Sequence, residues 1–221
     1  MCLELAEEGP SRCCPNNCSD ICGMVFLARG NSWLGVGEGM DKDSLIEYFV
    51  KIDAALSSET VLYVYGSAVC ILLDAPGRTS LDFDVAAPYS RADESELRRA
   101  VDAAGLLFNP ETDEQGDFME WIGPLRLCLP APREERSMVL WHGKNLTITT
   151  GTVEDIVASR LVRFDSADQA DIHFLHAQRG FALESVADAV RRLPAPFNAD
   201  PVIRDNLGNL EKDMQLWRVR T

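Results

Sequence analysis

The chain has 221 residues, with 21 Lys and Arg against 35 Asp and Glu and a formal net charge of −14. That balance argues against the dense cationic surface that duplex DNA or anionic lipid requires, though not against a local basic pocket for a phosphate-bearing ligand. A hydrophobic content of 46% suffices for a real core, and the length suits one domain, or one domain with a small appendage. No apolar run approaches the roughly 18 residues of a spanning helix. Glu4, Glu7 and Glu8 stand where a secretory signal needs a basic region, so a cytoplasmic chain without membrane association is expected.

Five of the seven cysteines (Cys2, Cys13, Cys14, Cys18 and Cys22) fall in the first 22 residues, with Cys70 and Cys128 in apolar runs further on. An odd, clustered set does not resemble a disulfide framework. Cys14, Cys18 and Cys22 would stack three thiols on a helix, a metal-binding possibility weakened by Pro10, Pro15, Asn16 and Asn17 and by the lack of a completing His or Cys pair. Residues 1–40 therefore read as a poorly patterned extension, and Met24 and Met40 as alternative translation starts.

Regular patterning begins at Asp41. Leu45, Ile46, Phe49, Val50 and Ile52 form a helical stripe ending at Ser57 and Ser58. Val61–Tyr65 reads as a buried strand, followed by Gly66, Ser67 and a helix over Ala68–Leu73. The DAPGR segment at 74–78 is a turn. Leu81–Ala86 is a second strand, Ala92–Ala104 a helix, and Leu106–Phe108, Phe118–Ile122 and Leu125–Leu129 are further strands, the last two joined at Gly123–Pro124. Leu146–Thr149 is another strand. Thr152 with Asp155 three positions on predicts a capping box opening a helix through Leu161. Asp168–His176, Glu184–Arg192 and Pro201–Trp217 read as helices, with Pro194 and Pro196 marking a boundary. The fold expected is α/β or α+β, a mixed β-sheet with flanking helices and a helical C-terminal part. Its divisions are an extension at 1–40, a domain at 41–193 and a helical segment at 194–221.

The chemistry concentrates in Tyr65–Val85. A glycine between a buried strand and a helix lets the backbone approach a ligand closely, and Ser67 adds a hydroxyl donor. Asp82 and Asp84 are two apart on a strand, so both carboxylates leave one face while Phe83 and Val85 pack on the other. Paired carboxylates repel unless a cation lies between them, and hard oxygen donors of this kind suit Mg²⁺ with substrate phosphates.

On Gly66-Ser67 followed by Arg78-Thr79-Ser80-Leu81-Asp82-Phe83-Asp84, the sequence resembles the nucleotidyltransferase superfamily. More narrowly it resembles the AbiEii-type branch associated with bacterial toxin–antitoxin and phage-defence systems. A second similarity covers 152–175, where Glu154-Asp155, Ser159-Arg160 and Asp168-x-x-Asp171 stand for an acidic helix opening, a Ser-Lys pair and an Asp-x-x-Asp helix. The resemblance implies Asp82 and Asp84 as catalytic Mg²⁺ ligands and Gly66, Ser67 and Thr79 beside the phosphates of an NTP. Arg126, Arg160 and Arg163 are candidate phosphate contacts, with Arg160 at the position of the usual lysine. The activity implied is transfer of a nucleoside monophosphate to an acceptor hydroxyl. RNA, protein and small molecules all remain open as acceptors, and a cognate partner protein is a further implication; the acidity disfavours large RNA unless the arginines form a groove.

One departure stands out. Active members carry a third carboxylate on a nearby strand, and the expected strand, Leu125–Leu129, offers Arg126 and Cys128 instead, with Cys128 where the acid would fall. Asp117 and Glu120 on the preceding strand are substitutes to test. Two alternatives stay open: a nucleotide-binding protein without catalysis, and an interaction module forming the acidic half of a two-protein system. His173 and His176 share a helical face but lack a zinc-hydrolase arrangement, so packing is expected there. Trp121, Trp141 and Trp217 are expected in core or lid packing, and Cys70 as a buried hydrophobe.

Overall fold

The computed structural model describes residues 39–112 and 116–219. The five N-terminal cysteines and Met24 lie outside the described residues. Helix α1 (Lys42–Ala55) begins where the Asp41 carboxylate accepts the Ser44 amide at 2.9 Å, satisfying an otherwise orphaned donor. It is followed by β1 (Thr60–Tyr65), α2 (Ser67–Leu72), β2 (Asp82–Ala86), α3 (Glu94–Ala103), β3 (Leu107–Phe108) and β4 (Phe118–Ile122). The second half holds β5 (Met138–His142), β6 (Leu146–Thr150), α4 (Val153–Arg160), α5 (Ser166–Arg179), α6 (Leu183–Arg191) and α7 (Pro201–Val219). The result is the expected mixed α/β architecture.

The six strands form one sheet in the order β3-β4-β2-β1-β6-β5. β2 runs antiparallel to β1 and parallel to β4, while β6 runs parallel to β1 and antiparallel to β5. Opposed residues share a face, so the pairs Val64↔Val85, Leu62↔Ile148 and Phe83↔Met119 make one side of the sheet apolar. All six are buried, and α1 covers this side: the Phe49 ring meets Phe83 edge-on at 5.6 Å and Trp141 at 5.8 Å. The core continues through Ile156, Leu161, Ile172, Leu175 and Val186 into α7, whose Ile203, Leu210 and Met214 are buried in the same cluster.

Several local expectations meet their physical cause. Thr152 caps α4 with the reciprocal Thr152–Asp155 box, and Pro201 opens α7 at a position needing no amide donor. Two differ. Residues 125–129 form no strand: β4 ends at Ile122, and a turn closes with the Arg126 amide on the Gly123 carbonyl at 3.2 Å. Leu127 and Leu129 are buried as anchors of an irregular segment while Leu125 is 96% exposed, so the apolar alternation there comes from loop packing. The other difference is β5, an unforeseen strand that pairs with β6 through a hairpin at 143–145, where the Asp53 carboxylate accepts the amides of Lys144, Asn145 and Leu146. No described helix is long and apolar enough to cross a membrane.

Candidate metal centre

Asp82 and Asp84 leave β2 on the side opposite Phe83 and Val85. The parallel register of β4 sets Glu120 directly across from Asp84. Each of the three half-buried acids offers an oxygen, and these oxygens lie within 4.8 Å of one another. The third carboxylate thus comes from the middle of β4. Cys128, expected to mark its place, sits in the irregular segment with its Sγ donating to the Arg126 carbonyl at 3.4 Å.

The electrostatics are adverse to the acids as they stand. Burial, then the neighbouring Asp82 and Glu120, pushes the Asp84 carboxyl up to about 7, against which Arg160 and Arg126 act only partly. Tyr65, opposite Asp84 on β1, has its phenol raised by burial and then by that carboxylate. Ser80 Oγ donates to Asp82 at 2.7 Å, and the exposed Arg126 reaches Glu120 at 2.5 Å. A hard divalent cation is the species that relieves such crowding, since Mg²⁺ takes carboxylate oxygens together with phosphates. The donor set therefore fits the ion.

Gly66 joins β1 to α2 with φ +70, a conformation side chains rarely adopt. A Cβ there would also collide with Asp84 Oδ2, so glycine brings the backbone against the acid cluster. Ser67 follows at once, its Oγ accepting from Arg78 Nη2 at 2.7 Å. Thr79 is exposed, and its carbonyl accepts from Arg78 Nη1 at 3.1 Å.

The arginines divide. Arg126 lies at the carboxylate cluster. Arg160 is 5% exposed and held by Asp168 and Asp171, each at 2.6 Å, while the exposed Arg163 pairs with Asp165 and Asp168 at 2.7 and 2.9 Å. Arg160 and Arg163 thus have acidic partners on and beside α5 rather than in the triad. Arg78 is the residue that sequence reasoning passed over. It bridges Asp171 and Ser67, and the signal was an arginine directly after a Pro-Gly turn that leads into the acidic strand. His173 and His176 pack on the Trp217 ring at 4.7 and 5.1 Å, as a packing face should. Cys70 is fully buried, its thiol pushed up to about 12 chiefly by burial. Among the described residues, Asp82, Asp84 and Glu120 form the one cluster of three with ligand spacing.

Comparison with known proteins adds no name to this geometry: no family model matches the chain, and neither does any curated protein or solved structure at significance.

Proposed function

We propose that the chain is a divalent-cation-dependent nucleotidyltransferase that moves a nucleoside monophosphate from an NTP to an acceptor hydroxyl. The observation that carries this reading is the convergence of Asp82, Asp84 and Glu120 on one sheet face beside the Gly66 turn. Asp82, Asp84 and Glu120 would hold Mg²⁺, which when bound would supply charge neutralisation at the phosphates and a lowered pKa for the attacking hydroxyl. The acceptor oxygen bonds to the α-phosphorus as the bond to the pyrophosphate oxygen breaks.

Each residue has a task in that displacement. Gly66 admits a phosphate close to the backbone, and Ser67 donates to it. Glu120 is the carboxylate proposed to receive the acceptor's proton, and Arg126, paired with it at the exposed rim, stands on the acceptor's side of the displacement. Arg160 acts at one remove, as the buried anchor of α5. The alternative of a nucleotide-binding domain without transfer drew on the lack of an acid at 125–129; Glu120, across from Asp84 on β4, supports the transferase reading over it.

The test is incubation of pure protein with Mg²⁺, α-³²P-labelled NTPs, RNA and candidate protein acceptors. Label is expected on one acceptor class with wild type and not with the Asp82→Ala/Asp84→Ala variant. Transfer undiminished in that variant contradicts the mechanism.

A further inference from the structure

We infer that Arg78 is a positioning residue that turns the Ser67 hydroxyl toward a substrate phosphate; this rests on the nucleotide reading above. A serine hydroxyl carries one hydrogen to donate and two lone pairs that accept. Arginine can only donate, so at the 2.7 Å contact between Arg78 Nη2 and Ser67 Oγ the serine is the acceptor. Its hydrogen must go elsewhere, and no described residue receives it. Ser67 directly follows Gly66, whose backbone abuts Asp84, and in the nucleotide reading that free hydrogen is offered to the phosphate seated at this turn. An anion rich in acceptor oxygens, such as a polyphosphate, meets it.

The same contact has a second consequence. With Arg78 donating to one of its two lone pairs, Ser67 keeps its hydrogen for a phosphate oxygen, and the guanidinium charge beside the same oxygen disfavours a cation there. Arg78 is itself fixed on several sides. Its Nε and Nη2 reach the two oxygens of Asp171 at 3.1 and 3.3 Å, and Nη1 reaches the Thr79 carbonyl at 3.1 Å. Asp171 is 3% exposed and is also held by Arg160 at 2.6 Å. The run Arg160–Asp171–Arg78–Ser67 thus ties α5 to the turn after β1. A lysine at 78 would keep the charge but lose the planar fork that serves Asp171, Thr79 and Ser67 together.

The experiment is a double-mutant cycle on the full chain, with Mg-tripolyphosphate as the probe in calorimetry and Mn²⁺ binding followed in parallel by electron paramagnetic resonance. Ser67→Ala and Arg78→Lys are each expected to weaken tripolyphosphate about tenfold, the size of one lost hydrogen bond to a charged group. The double variant is expected to lose no more than either single, because the arginine works through the serine. Mn²⁺ affinity stays at the wild-type value throughout. A roughly hundredfold loss in the double variant, or none in Arg78→Lys, overturns the inference while leaving the nucleotide reading intact; so does a parallel fall in Mn²⁺ affinity. Should Arg78→Lys fail to fold, Ser67→Ala decides alone: unchanged tripolyphosphate affinity overturns the inference. A wild-type chain that binds no tripolyphosphate overturns the nucleotide reading, and this inference with it.

Discussion

Asp155, Asp168 and Asp171 are 0%, 1% and 3% exposed, and every one meets an arginine: Arg192 on Asp155, Arg160 and Arg163 on Asp168, Arg160 and Arg78 on Asp171. Asp82, Asp84 and Glu120 are less deeply placed, yet they crowd against one another with only Arg126 in direct ion pairing among the described residues. The two sets use the same chemistry to opposite ends. In the first, buried charge is neutralised where it lies, and it holds α4, α5 and α6 in place. In the second, neutralisation is left incomplete, and Asp84 responds by holding its proton to about pH 7. Acids matched by arginine are architecture, whereas Asp82 and Asp84, without an ion pair among the described residues, are with Glu120 the acids we propose as cation ligands.

The largest effect should come from breaking the matched set. Arg160→Ala leaves Asp168 and Asp171 with an uncompensated share of buried charge, and is expected to lower the unfolding free energy by about 3–5 kcal/mol in urea denaturation. A loss below about 1 kcal/mol would show that Arg78 and Arg163 suffice, which would blur the contrast.

The unmatched set should answer to pH with the sign of a raised carboxyl. An unfolded Asp ionises near pH 3.9, and Asp84 does so at about 7 in the fold. The folded chain therefore holds the extra proton between those values. The associated stability is complete below about pH 4 and lost as pH rises through 7. In the absence of metal, the unfolding free energy of wild type relative to Asp84→Asn should fall across that window and level off above it. A difference that stays flat from pH 4 to 8 contradicts the assigned crowding.

Smaller effects sharpen the roles of the remaining members. Glu120→Gln should weaken Mn²⁺ by about tenfold, since ligand charge sets affinity, without lowering the metal-free Tm. A lower Tm with unchanged Mn²⁺ affinity would move Glu120 into the architectural class. Arg126→Gln should change stability by no more than about 1 kcal/mol, because its guanidinium is largely exposed, and should tighten Mn²⁺ modestly by freeing Glu120. Weaker Mn²⁺ binding would show that Arg126 orients Glu120 instead of competing for it.

Much of this site was legible residue by residue. Alternation alone sends Asp82 and Asp84 to the same side of β2, and a glycine after VLYVY marks the strand-to-helix turn. Glu120 was harder, because its role depends on which strand lies beside β2, and pairing across the 31 residues between β2 and β4 leaves no local trace. The apolar alternation of Leu125, Leu127 and Leu129 competed with it and came from a loop anchoring two leucines in the core. A lone acid inside the apolar run FMEWI was the available signal. The strand at 138–142 was also within reach, since VLW before Gly143-Lys144-Asn145 is a hairpin signature. The depth of Asp168 and Asp171 was not: their helix shows a polar sequence, and their burial follows from arginines contributed by other segments.

Cation binding at the three carboxylates is the property that the proposed metal centre requires first. In a titration of Mn²⁺ into the metal-free chain at pH 8, followed by electron paramagnetic resonance, wild type should bind the ion saturably and Asp84→Asn should lose that binding while remaining folded. Wild type that takes up no Mn²⁺, or Asp84→Asn that takes it up equally well, would contradict the claim that these acids form a metal centre.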